Sequence, residues 1–294
     1  MAHCRTWARA SHACVGARAD RGLAAEGGRT VNEPATGQLL SVDSLTISVG
    51  QDLVLVDRIS LDVAEGETVG IVGESGSGKS LTLRAIMGIL PSTLRVDGTI
   101  NFSSTVDGSQ TAAMVFQEPS LALNPTLRVG RLLQMTWRRH HPGCSDKDAR
   151  AAAITLMSDV GIAQAESRFS AWPHELSGGM KQRIVIASAL ACEPRLLLCD
   201  EATTALDVRV QAQILKLLSV LVEDRGLGML FVSHDLAVVS LVCERIIVMN
   251  KGTILETGRT ADVLADPQHE YTRALLDANL SRRLSMVHNE GETS

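Results

Sequence analysis

Aromatic side chains make up only 3% of the 294 residues, so the chain is not built around stacking platforms for bases or sugars. Basic charge is not in excess either. Lys and Arg number 28 against 33 Asp and Glu, a net charge of −5, whereas a nucleic-acid binder needs clustered cations on its surface. Long apolar runs are missing: Ile246-Ile247-Val248-Met249 falls far short of the roughly 20 residues that a membrane-spanning helix requires. The six cysteines (Cys4, Cys14, Cys144, Cys192, Cys199, Cys243) contain no C-x-x-C pair and no zinc-like spacing. Several lie in apolar runs, as Cys199 does in Leu196-Leu197-Leu198-Cys199, where a reduced and buried thiol is expected. That suits a reducing cytoplasm. No internal repeat is evident.

What remains is the composition of a globular protein, 45% hydrophobic and 21% charged, long enough for one large domain with a subdomain. Residues 1–37 are rich in Ala, Gly and Arg and carry neither strand nor helix periodicity. Their arginines precede no compact apolar run, so a secretory signal fits poorly. A disordered tail, or an extension from a start codon set too far upstream, is the expectation there. Residues 278–294 are expected to form a C-terminal tail.

From Leu39 the pattern becomes β-rich. Residues 40–42, 45–49 and 59–63 alternate apolar with polar, the signal of half-buried strands. Residues 68–72 read as a buried strand, followed by a helix from Lys79 to about Ile89, and 112–116 as another buried strand ending at Gln117. Between 118 and 177 helix patterns dominate, as in 149–160, which points to a helical subdomain inserted in an α/β core. Helices at 178–191, 208–224 and 236–243 then alternate with strands at 196–199, 229–232 and 245–249. Such alternation predicts a mostly parallel sheet covered on both faces.

Three motifs carry chemistry. Gly73-Glu74-Ser75-Gly76-Ser77-Gly78-Lys79-Ser80 matches G-x-x-x-x-G-K-[ST] in full. Backbone N–H groups curl around phosphates, Lys79 reaches the β/γ phosphates, and Ser80 offers its hydroxyl to Mg²⁺. A Gly-Ser linker would not join a buried strand to a helix. Leu197-Leu198-Cys199-Asp200-Glu201 ends a buried strand, where ligands of α/β folds bind. Asp200 is placed to hold Mg²⁺ and Glu201 to polarise an attacking water as general base. Leu176-Ser177-Gly178-Gly179-Met180 opens a helix whose unpaired N–H groups attract an anion. Two phosphate sites in one chain suggest an ATP held between two copies or paralogues.

In motif order and spacing, from about Leu39 to Leu276, the chain resembles the ATP-binding cassette (ABC) ATPases, the motors of ABC transporters. The resemblance implies a phosphate-loop α/β core with an N-terminal antiparallel β subdomain and an inserted helical subdomain, within an ABC domain spanning 38–277. It implies ATP contacts from Gly73 through Ser80 and Leu81, with Ser80, Gln117 and Asp200 at Mg²⁺. It gives His234 of Ser233-His234-Asp235 a contact to the γ-phosphate, Gln117 a role in hydrolysis and in sensing membrane subunits, and Asp207 of Ala205-Leu206-Asp207 a place at a dimer interface. As isolated residues, a surface glutamine, a helix-capping aspartate and a structural histidine would be the plainer assignments.

Narrower stretches are similar to the peptide/nickel importer ATPases: Phe116-Gln117-Glu118-Pro119, Leu123-Asn124-Pro125-Thr126, residues 176–183, Thr203-Thr204-Ala205-Leu206-Asp207-Val208 and His269-Glu270-Tyr271-Thr272-Arg273-Ala274-Leu275-Leu276. That resemblance implies an ATP-hydrolysing subunit on the cytoplasmic face of the membrane, coupling ATP and Mg²⁺ to uptake of dipeptides or oligopeptides. The alternatives are nickel or another small solute, or a non-transport ABC protein. Implied partners are two transmembrane permeases, a second ABC ATPase subunit, identical or paralogous, and an extracytoplasmic solute-binding protein, with no nucleic acid. Three departures stand out. Ala202 follows Glu201 where the family usually has proline, Val49 stands where an aromatic usually stacks on adenine, and no cysteine beyond Cys243 could hold an iron–sulfur cluster.

Overall fold

The computed structural model describes residues 37–50, 52–103, 112–203 and 206–279. The expectations for the N-terminal extension, for most of the C-terminal tail, and for Thr204 and Ala205 lie outside these residues. In chain order the strands are β1 (Gln38–Val49), β2 (Leu53–Ala64), β3 (Thr68–Val72), β4 (Leu94–Phe102), β5 (Ala112–Val115), β6 (Leu196–Asp200), β7 (Gly228–Ser233), β8 (Arg245–Asn250) and β9 (Thr253–Arg259). The helices are α1 (Lys79–Ile86), α2 (Pro119–Ala122), α3 (Val129–His140), α4 (Asp146–Asp159), α5 (Ala165–Arg168), α6 (Gly178–Leu190), α7 (Val208–Arg225), α8 (Leu236–Val242), α9 (Thr260–Ala265) and α10 (270–279).

Strands β2-β1-β4 form an antiparallel sheet, and β5-β6-β7-β3-β8-β9 a second sheet that is parallel except for the β8–β9 pair. The two alternating segments expected at 40–42 and 45–49 are one strand. A register shift between Val42 and Leu45, with Ser44 at φ 52°, keeps both on the buried side. Such a bulge bends and twists the strand. Period-two alternation in the parallel strands feeds two cores. Val72, Val115, Cys199, Phe231 and Val248 face a core shared with the helices, whereas Ile71, Met114, Leu198, Val232 and Met249 face α1 and the antiparallel sheet. The larger layer takes α6 and α7 from the sheet side and Leu133, Met157 and Phe169 from the helices between β5 and α6.

Helix α1 and strand β9 are among the elements that differ from expectation. Helix α1 stops at Ile86 rather than near Ile89. Gly88, at φ 67°, accepts the left-handed turn, its N–H donates to Ala85 O at 3.0 Å, and the Ile89 N–H donates to Arg84 O at 3.0 Å. This paired closure of the last carbonyls is a Schellman ending. The edge strand β9 had no clear signal because its residues are mostly half-buried or exposed.

The helical layer depends on close backbone approach at Gly130. Its N–H donates to Phe169 O at 3.1 Å, and a Cβ there would fall 2.3 Å from the Phe169 ring and 2.5 Å from its carbonyl oxygen. Gly130→Ala is therefore expected to destabilise the protein by about 1–3 kcal/mol through overpacking. Chemical unfolding of the two proteins side by side checks this, and unchanged stability would contradict the contact.

Candidate functional site

Parallel register brings four loops to one edge. Val72 pairs with Ser233 and Val248, while Asp200 pairs with Val232. The chain therefore leaves β3, β5, β6 and β7 at the same rim, at residues 73, 116, 201 and 234.

The loop Gly73–Ser80 joins β3 to α1. Gly73 sits under the β8 end so tightly that a Cβ would lie 2.1 Å from Met249 O. Glu74, Ser75 and Gly76 form the exposed crest, while Ser77, Gly78 and Lys79 are buried. Lys79 Nζ donates to Gly73 O at 2.7 Å, Glu74 O at 2.8 Å and Ser77 Oγ at 3.3 Å. Its three donors curl over two carbonyls and one hydroxyl of the loop itself. Burial lowers its pKa, against the pull of the Glu201, Asp200 and Glu74 carboxylates. Leu81, half-buried, packs into the second core.

Ser80 Oγ donates to Asp200 Oδ1 at 2.6 Å. Asp200 is 1% exposed, and burial pushes its carboxyl pKa up, opposed by the Ser80 hydrogen bond and Arg84. Arg84 Nη2 stands 3.7 Å from Asp200 Oδ2. It was not singled out from the sequence, although its place four residues after Ser80 puts both on one helix face. Glu201 follows in the left-handed region at φ 45°, with its N–H donating to Val232 O at 3.1 Å. A non-glycine residue held there is uncommon and costs strain. Gln117 Nε2 donates to Glu201 Oε2 at 3.1 Å, and His234 Nδ1 lies 3.5 Å from the same oxygen. Two residues from two other loops thus meet at the Glu201 carboxylate. Ala202 beyond it is buried at 1% exposed.

The segment Leu176–Met180 makes no hydrogen bond to this cluster among the described residues. Ser177 caps α6, its Oγ accepting the Met180 N–H at 3.4 Å. Ser177 and Gly178 are exposed, and a Cβ on Gly179 would lie 2.5 Å from Val210 Cγ1. Asp207 caps the adjoining α7, with Oδ1 accepting the Val210 N–H at 3.0 Å. Two capped helix N-termini therefore stand side by side, with Gly179 of α6 against Val210 of α7. Val49 ends β1 opposite Leu53, and both are exposed with Val54. The β1–β2 tip offers aliphatic surface but no ring.

The solved structures similar to this chain carry the same fold. A Clostridium perfringens subunit described as part of an ABC transporter complex matches with TM-score 0.67 and 26% identity, over 86% of this chain and 99% of that one. A dimeric ATP-binding cassette in a post-hydrolysis state with ADP and Pi matches with TM-score 0.62 and 27% identity, over 76% and 99%. Among curated relatives, a probable D,D-dipeptide transport ATP-binding protein of Escherichia coli is 43% identical over 82% of this chain and 78% of its own. A dipeptide transport ATP-binding protein of Haemophilus influenzae is 43% identical over 81% and 76%. A peptidoglycan transport ATP-binding protein of Agrobacterium fabrum is also 43% identical, but the chain spans only 48% of its length. The model of the ABC transporter family matches residues 56–204. With that match and these identities, the chain belongs to the ABC transporter family, on the ABC ATPase fold.

Proposed function

We propose that this chain is the ATP-hydrolysing subunit of an importer of dipeptides or oligopeptides. It works peripherally at the cytoplasmic face of the membrane beneath two permeases and pairs with a second ATPase subunit. A solute-binding protein outside the membrane supplies the cargo. The observation that carries the hydrolytic reading is the convergence of Gln117 and His234 on the Glu201 carboxylate beside the Lys79 loop. The peptide reading is supported by the dipeptide transport names of the relatives. The dimer is supported by the similarity to a dimeric cassette. Among the described residues no helix is long and apolar enough to cross a membrane.

Ser80 Oγ and Asp200 Oδ1, an oxygen-only pair, fit Mg²⁺, which binds through one or two carboxylates, waters and substrate phosphates. The ion supplies charge neutralisation to the phosphates when bound. Lys79 binds the β/γ phosphates by turning from the carbonyls of Gly73 and Glu74. Glu201 takes the proton of the attacking water at its carboxylate, while His234 and Gln117 orient that oxygen and the water. The N-terminus of α6, with Ser177 and Gly178 exposed, meets the phosphates of the partner's nucleotide, and Asp207 lies beside that interface.

The test is Mg²⁺-dependent phosphate release and dipeptide uptake by the complete transporter in vesicles. No hydrolysis would end the reading, and hydrolysis stimulated by a different solute would replace the peptide. Gln117 joins β5 to the helical layer, so Gln117→Ala is expected to impair uptake more severely than hydrolysis in the same vesicles. Equal losses would make Gln117 a purely chemical residue.

A further inference from the structure

The last described helix reaches the phosphate loop from a distant part of the chain. In β9 the Glu256 carboxylate accepts the N–H groups of Gln268 at 2.8 Å and His269 at 3.0 Å. His269 Nδ1 in turn accepts the Tyr271 N–H at 3.0 Å. The first turn of α10 is thereby tied to an edge strand of the nucleotide sheet. Tyr271, the single tyrosine of the chain, packs its ring at the margin of the larger core. Its hydroxyl oxygen accepts the backbone N–H of Glu74 at 3.1 Å, across 197 positions of sequence.

That N–H belongs to the same peptide unit as the Gly73 carbonyl, which accepts Lys79 Nζ at 2.7 Å. One peptide plane is held from both edges, by a phenol on its N–H and an ammonium on its carbonyl. Because the peptide is planar, the two edges turn together. Glu74 itself is on the exposed crest of the loop, so no side-chain packing of its own sets that plane. Burial raises the Tyr271 pKa above its ordinary value, which keeps the hydroxyl neutral.

We propose that Tyr271 is a positioning residue for the nucleotide site: its hydroxyl sets the plane of the Gly73–Glu74 peptide and, through it, the place of the Lys79 ammonium. This rests on the ATP-binding reading above. Lys79 must leave the Gly73 carbonyl to reach phosphate, and the Tyr271 hydrogen bond keeps the loop in shape while it does so. Nucleotide occupancy is thereby felt at α10.

The experiment compares the full chain with Tyr271→Phe, which keeps the ring and its packing and removes only the acceptor. Losing one hydrogen bond that organises the loop is expected to weaken binding of a slowly hydrolysed ATP analogue about 3- to 10-fold. The KM for ATP should rise with it, while kcat in the complete transporter changes less than KM and the unfolding midpoint without nucleotide falls only slightly. Unchanged affinity, or an unfolding midpoint that falls while the KM does not move, overturns the proposal. A second measurement needs no variant. With one tyrosine, 3-fluorotyrosine labelling gives one ¹⁹F resonance for the folded chain, and saturation with the analogue and Mg²⁺ should shift it. A resonance that ignores saturation overturns the proposal even if the variant fails to fold. Absence of analogue binding to the unsubstituted chain would overturn the ATP reading itself, a result separate from either.

Discussion

Replacing Glu201 by glutamine is expected to lower ATP turnover about 10²–10⁴-fold, the range of general-base assistance, while nucleotide binding persists. The carboxylate oxygen Oε2 accepts from Gln117 Nε2 at 3.1 Å and lies 3.5 Å from His234 Nδ1. An amide of the same shape can still present an oxygen to Gln117, but it cannot take a proton from water. The backbone around it has no reason to move. The left-handed turn at φ 45° and the N–H to Val232 O are main-chain features that glutamine keeps. The variant should therefore load ATP and accumulate as a closed dimer, visible by size-exclusion chromatography with ATP. Purified Glu201→Gln turning over like the unsubstituted protein would show that another group is the base.

The second large effect belongs to Lys79. Its ammonium holds two carbonyls and one hydroxyl of its own loop. Truncation to alanine removes that closure along with the charge proposed to meet phosphate. A charged hydrogen bond contributes enough that Lys79→Ala should bind ATP about 10- to 100-fold more weakly. Combined with Ser177→Arg, the change also tests the shared site. The hydroxyl of Ser177 caps α6 and stands exposed at its start, where a bulky cation would block an approaching phosphate.

Consider tagged mixed dimers. If ATP is shared between two subunits, as proposed above, Lys79→Ala in one subunit and Ser177→Arg in the other put both lesions on one composite site, and hydrolysis at the intact site should survive in part. With both changes in one subunit, each site carries a lesion and hydrolysis should disappear. Equal, measurable activity in the two arrangements would mean that Ser177 does not act across an interface.

What could be read from the chain alone was whatever is local. A phosphate loop, a buried strand ending in Asp200-Glu201 and a helix opened by Ser177 are short-range patterns, because loop curvature and helix capping are set by neighbouring residues. Alternation of strands and helices likewise carried the parallel core. The bulge that fuses β1, the early stop of α1 at Gly88 and the polar edge strand β9 were less legible, because pairing partners and left-handed turns decide them.

Contacts between distant segments were decided only by the tertiary structure. Register across β5, β6, β7 and β3 brings Gln117 and His234 to one oxygen of Glu201 and aligns Asp200 with Ser80. The Tyr271 hydroxyl meets the Glu74 N–H because the helix is tied to β9, which the strand order separates from β3 only by β8. No periodicity encodes that meeting. Side-chain patterns specify which face of a strand is buried, whereas the neighbour across the rim follows from how the whole sheet is threaded.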